Sequence, residues 1–170
     1  MRLFIWLLII SIPIVSKAQG IEELEKRNGF KDIKLTSRVT DYEGLELKKD
    51  EVDDETFPNS TIYTPKKGHY ETIGVLKIYD LEVYAYKDSI YQIKVVTEKD
   101  PKLYKGMKKL FGEPEYGYRN EVYYWASPIL KLQYGSYSKN KIEMVYFSYK
   151  MVEKRKQEKK QVVEEIADDF

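Results

Sequence analysis

The sequence predicts an α+β fold: an antiparallel sheet of hairpins and meanders, two helices packed on one face, and a projecting C-terminal helix. Three observations carry that expectation. In residues 81–97, Leu81, Val83 and Ala85 alternate with Glu82, Tyr84 and Tyr86, the chain turns at Lys87-Asp88-Ser89, and Ile90, Ile93 and Val95 mark the return. Such period-2 alternation around a polar turn is the pattern of a hairpin with one buried face. Residues 129–149 repeat the plan with β-branched and aromatic residues on both strands and a polar turn over 135–141. Between the pairs, Asp100 can accept from first-turn amides and Pro101 suits the first helical position, so a helix starts there. Leu103, Met107, Leu110 and Phe111 fall on one stripe, and Gly112 with Pro114 ends it. Gly106, inside this helix, reads as a point of close approach to the sheet.

The chain begins with a different pattern. Arg2 gives a positive start, residues 3–15 form an apolar core interrupted by Pro13, and Ser16-Lys17-Ala18 supplies small residues where a signal peptidase reads. Residues 1–18 are therefore expected to be a cleaved secretory signal, leaving Gln19 first and no transmembrane anchor. The apolar run is short of the roughly 18 residues that span a bilayer. The organisation that follows is one α+β domain over 19–150 and a charged helix or tail over 151–170. Export places the protein in the periplasm or outside the cell, and the absence of cysteine favours a bacterial envelope.

Charge and composition narrow the partners. Removing Arg2 and Lys17 from the 29 basic residues leaves 27 against 28 acidic ones, a balance without the positive field that nucleic acid needs. Without cysteine there is no disulfide and no thiolate metal site, so stability rests on an ordinary core.

Along the domain, Ile21 and Leu24 suggest a short helix stopped at Asn28-Gly29, and Phe30, Ile33 and Leu35 a short strand or ordered turn. The acidic stretch 48–55 and the following Phe57-Pro58-Asn59-Ser60 read as an exposed loop with nothing to fill a core. Thr61-Ile62-Tyr63 and 122–125 each suit a short strand. Side by side, the halves suggest a duplicated helix-plus-three-strand unit forming one sheet. After Tyr149 come good helix formers, but between Val152 and Val162 no residue is apolar, so this helix is expected to stand in solvent.

The chemistry is sparse. The only histidine, His69, sits in a Pro-Lys-Lys-Gly-His turn as a surface side chain, and with no cysteine there is no Cys-His pair and no multi-histidine zinc set. The acidic run lacks the spacing and central glycine of a calcium loop, and the nine glycines form no phosphate-cradling motif. No catalytic residue, metal or cofactor is assigned.

The anomaly is sixteen tyrosines. Tyrosine and tryptophan give large rigid contact area with a polar tip, so Tyr84, Tyr86, Tyr123 and Trp125 are the candidate binding residues for an envelope protein or a glycan. Alternation sends Tyr84 and Tyr86 to the side away from Val83 and Ala85, and that open face of the sheet is where binding is expected. Tyr123 and Trp125 share a side that depends on register. The leading expectation is a small exported, non-catalytic binding domain. The alternatives are an enzyme using carboxylates and tyrosines on glycans, and a subunit assembling through edge strands or its final helix. Intact-mass analysis of protein from the exported fraction should show a chain beginning at Gln19. Full-length chain in the cytosol would overturn the assignment of residues 1–18.

Overall fold

The computed structural model describes residues 15–170 except Asp53, with side chains described from Gly20 onward. The apolar segment of the expected signal, up to residue 14, lies outside the described residues. Helix α1 (Val15–Arg27) comes first and runs across Ala18. Asn28 and Gly29 at positive φ end it, and the small hairpin β1 (Gly29–Phe30) and β2 (Ile33–Lys34) follows.

Eight strands then form one antiparallel sheet in two meanders, with a central helix α2 (Pro101–Phe111) between them. The first meander is β3 (Leu45–Val52), β4 (Ser60–Pro65), β6 (Leu76–Tyr86) and β7 (Ser89–Glu98), with a two-residue strand β5 (Thr72–Ile73) beside β6. The second is β8 (Glu115–Gly117), β9 (Val122–Ala126), β10 (Leu130–Ser138) and β11 (Lys141–Ser148). The spatial order is β3-β4-β6-β7-β11-β10-β9-β8, so the last strand of each meander lies at the centre. The repeated unit is thus a helix with four strands, one more than the sequence suggests. The extra strands, β3 and β8, are the two outer edges, where a strand needs pairing on one side only.

That edge position explains why the acidic stretch is strand up to Val52, with bends and turns as expected only over 54–59. The backbone of β3 pairs with β4 from Leu45↔Pro65 to Val52↔Ser60, with two register shifts, while most of its side chains stay in water. Charged side chains on an irregular edge also discourage pairing with another chain.

The sheet has two different faces. On the front, α1 and α2 cover Leu81, Val83, Ile93, Val95, Leu132 and Met144, continuous with Leu24, Met107, Phe111 and Trp125. The expected cap of α2 is present: the Asp100 side chain accepts from the Lys102 amide at 2.7 Å, and Gly112 has a φ of 79°. On the back, Phe57, Tyr86, Tyr91 and Met151 make a second cluster joined by Tyr84, Phe147 and Val152. Phe57, from the segment expected to hold nothing for a core, is fully buried and stacks on Tyr91 at 4.1 Å between ring centroids. Burying a ring of that size is worth about 1.5–3 kcal/mol.

Helix α3 (Tyr149–Asp168) starts where the Ser148 hydroxyl accepts from the Met151 amide at 3.2 Å. Its first half lies on the back cluster, which corrects the expectation of a helix projecting from its start. The contact uses charged side chains: Arg155 lies over the Tyr86 ring at 5.4 Å, and Glu158 accepts from the Tyr86 hydroxyl and the Lys87 ammonium, both at 3.1 Å. Long polar side chains can cover apolar surface while keeping their heads in water, so an apolar stripe is not required. From Lys159 onward the helix is exposed.

Gly106 does not approach the sheet: a Cβ there meets nothing within 4 Å. The close approach is made by Gly20 on α1, where a Cβ would fall 2.3 Å from the Phe111 carbonyl oxygen of α2. Gly106→Ala should therefore stabilise the protein by up to about 1 kcal/mol in urea denaturation. Gly20→Ala should lower the melting temperature, because backbone stands in the way. The opposite pair of signs would show that the helix packing is otherwise.

Candidate functional site

Alternation places Tyr84 and Tyr86 on the back as expected, but that face is not open. Tyr86 is 6% exposed beneath Phe57 and α3. Tyr84 is half-buried and donates to the Glu82 carboxylate at 2.7 Å, with its ring edge-on to Tyr91. The Lys48 ammonium reaches the same carboxyl group at 2.6 Å. Burial alone would raise the Glu82 pKa, and the hydrogen bonds from Lys48 and Tyr84 more than offset it, holding the carboxyl below its ordinary value. Rings locked in this way are structural.

Tyr123 and Trp125 lie on the front, beside α2. Trp125 is 2% exposed, and its indole N–H donates to the Gly112 carbonyl at 2.9 Å, tying β9 to the end of α2. Tyr123 belongs to a ladder that the register builds. Tyr116 on β8 stands opposite Tyr123 on β9, and Tyr123 stands opposite Tyr134 on β10. Directly opposed residues share a face, so three tyrosines line up across three strands. Tyr104 of α2 closes the row, 5.1 Å from the Tyr123 ring and 5.4 Å from Tyr134, while Tyr116 is 5.0 Å from Tyr123. Tyr118, in the β8–β9 turn, meets Tyr116 edge-on at 5.1 Å and is open to solvent.

Beside this ladder is a cleft of about 230 Å³ lined by Tyr116, Tyr123, Tyr134 and Ile142, with Lys99 and Glu121 as its charged groups. Tyr123 is 38% exposed there. Among the described residues, the hydroxyls of Tyr104, Tyr116, Tyr123 and Tyr134 have no hydrogen-bond partner, in contrast to those of Tyr84, Tyr86 and Tyr91. Burial, followed by the neighbouring Tyr123, raises the Tyr104 pKa, and burial with Tyr104 raises that of Tyr134. The Tyr104 and Tyr134 hydroxyls thus stay protonated at neutral pH and able to donate. The arrangement offers ring faces, spare hydroxyls and one charge of each sign.

Sequence reasoning singled out Tyr123 and missed Tyr104 and Tyr134. The signal was available in part: Tyr116 and Tyr123 are symmetric about the 118–121 turn, and Tyr123 and Tyr134 about the Pro128-Ile129 turn. No group of three or more histidine, cysteine, aspartate or glutamate side chains that could hold a metal occurs among the described residues. Comparisons with protein-family models, with curated proteins and with solved structures find no match for this chain.

The back cluster has a measurable pH signature. Burial, with a smaller contribution from the Asp54 carboxylate, pushes the Tyr91 hydroxyl from its ordinary 10.0 up to about 12. A raised folded-state pKa means that this contribution to stability is complete below pH 10.0 and is lost as the pH climbs through about 12. Melting temperature should therefore fall over that interval. Tyr91→Phe should flatten the fall, and an unchanged alkaline slope in the variant would show that Tyr91 does not titrate with unfolding.

Proposed function

We propose that this protein is a small exported, non-catalytic binding domain of the bacterial envelope, and that the tyrosine ladder receives a ring of a glycan. One observation carries the reading: Tyr116, Tyr123 and Tyr134 present faces and unpartnered hydroxyls to one cleft. A pyranose has apolar C–H faces and hydroxyl edges, which match aromatic faces and phenolic hydroxyls together. The cleft, at about 230 Å³, lies below the usual range for cofactor-sized ligands and suits one ring of a longer chain. Lys99 can donate a hydrogen bond to a neighbouring substituent and Glu121 can accept one. The carboxyl groups with displaced ionisation, Glu82 and Glu158, are both held below the ordinary value, the opposite of what a general acid needs. Both also lie in the back-face network, away from the ladder.

Calorimetric titration with envelope-derived oligosaccharides tests the proposal. Tyr123→Ala should weaken binding by about 2 kcal/mol or more, as loss of an anchor aromatic does, while Tyr84→Phe on the back leaves affinity unchanged. Absence of saccharide binding, or binding indifferent to Tyr123→Ala and Tyr116→Ala, would sink it.

A further inference from the structure

The front of the molecule has a second, unrelated feature. Two clefts of about 270 and 280 Å³ share Ile73 and Leu103 and together make an apolar groove along α2. Leu103 and Leu110, on the stripe that sequence assigns to the core, are left half-buried and exposed respectively, and Val75 at the far end is almost wholly exposed. The rim is basic. Arg27, Lys31, Lys34 and Lys102 line it, against the single carboxylate of Asp100, which is engaged as the helix cap. Arg27 pairs with Glu23 at 2.7 Å, but Lys34 binds the Arg27 and Lys31 carbonyls and Lys31 lies over the Phe30 and Tyr70 rings. No carboxylate pairs with either lysine among the described residues. On the groove floor is Tyr146, 8% exposed, whose hydroxyl has no hydrogen-bond partner among the described residues.

The free end of α3 is its complement. Val163, Ile166 and Phe170 fall at i, i+3 and i+7, the spacing of a helix that lies in a groove, and Ile166 is 55% exposed. Glu164, Glu165, Asp168 and Asp169 flank them, and the last turn contains no basic residue. Carboxylates at a helix C-terminus oppose its dipole, an arrangement that favours a cationic neighbour. The only ion pair in this stretch among the described residues is Lys160 with Glu164 at 3.6 Å. We infer that the end of α3 from a second copy of this chain docks in the groove along α2. The groove cannot take its own α3, because the first half of that helix is packed on the back of the sheet and remains helical through Asp168.

The cysteine-free chain permits a direct test. Ile166→Cys carrying a benzophenone maleimide, irradiated in the purified protein, should give a covalent dimer whose cross-linked peptides lie in 27–34, 73–76 or 101–111. In sedimentation runs, Ile166→Asp should weaken self-association tenfold or more without changing the melting temperature, since that side chain is exposed near the end of α3, away from both cores. Lys31→Glu with Lys102→Glu should weaken it similarly, and adding Glu165→Lys with Asp168→Lys to that variant should restore it. A monomer at every concentration would overturn the inference. So would cross-links confined to 159–170, which would mean two α3 ends pairing with each other, or failure of the charge swap to rescue.

Discussion

Everything else in this molecule hangs on the pairing of β7 with β11. The seven residue pairs from Lys141↔Glu98 to Phe147↔Gln92 join the two meanders into one sheet. Each strand of that pair presents apolar residues to both sides: Ile93, Val95, Met144 and Tyr146 to the front, Tyr91 and Phe147 to the back. A central strand with apolar residues on both faces demands two covers, and the chain supplies them from four places. Helices α1 and α2 take the front, while Phe57 and the first turns of α3 take part of the back.

The two covers are built by different means. The front is a broad aliphatic core in which Gly20 lets α1 reach the backbone of α2. The back is small and aromatic, and its roof is partly ionic. Arg155 and Glu158 close over Tyr86 because a guanidinium can stack on a ring and a carboxylate can accept its hydroxyl. The consequence is a tyrosine population divided by role. Tyr84, Tyr86 and Tyr91 spend their hydroxyls within the fold, whereas Tyr104, Tyr116, Tyr123 and Tyr134 find no partner for theirs among the described residues and stand beside a cleft.

The division also explains why the front carries both the ladder and the apolar groove. The back is occupied by α3 and by a polar strip in which Lys48 of β3 reaches over β4 to Glu82 of β6, and Lys94 pairs with Glu143 on the neighbouring strand. On the front, α2 is too short to cover the second meander to its edge, which leaves the ladder on β8–β10 open. Its stripe is likewise wider than the surface beneath it, which leaves Leu103 and Leu110 beside the groove. A single eleven-residue helix thus borders both surfaces.

What the sequence determined by itself were the features set by neighbours a few positions away. The cap at Asp100, the stop at Gly112, the hairpin around Lys87-Asp88 and the α+β class all follow from local spacing, and all are present. The side to which Tyr84 and Tyr86 point was equally legible, because alternation has a period of two. What covers that side was not, since Phe57 and α3 arrive from 29 positions before and 65 after Tyr86. Whether Gly106 or Gly20 serves close packing likewise depends on where the two helices meet. The ladder needed registers across two turns at once, and an error of one residue in either would have exchanged its face. Tertiary structure decided these points because burial and opposition are properties of pairs of segments, whereas propensity, capping and alternation are properties of one.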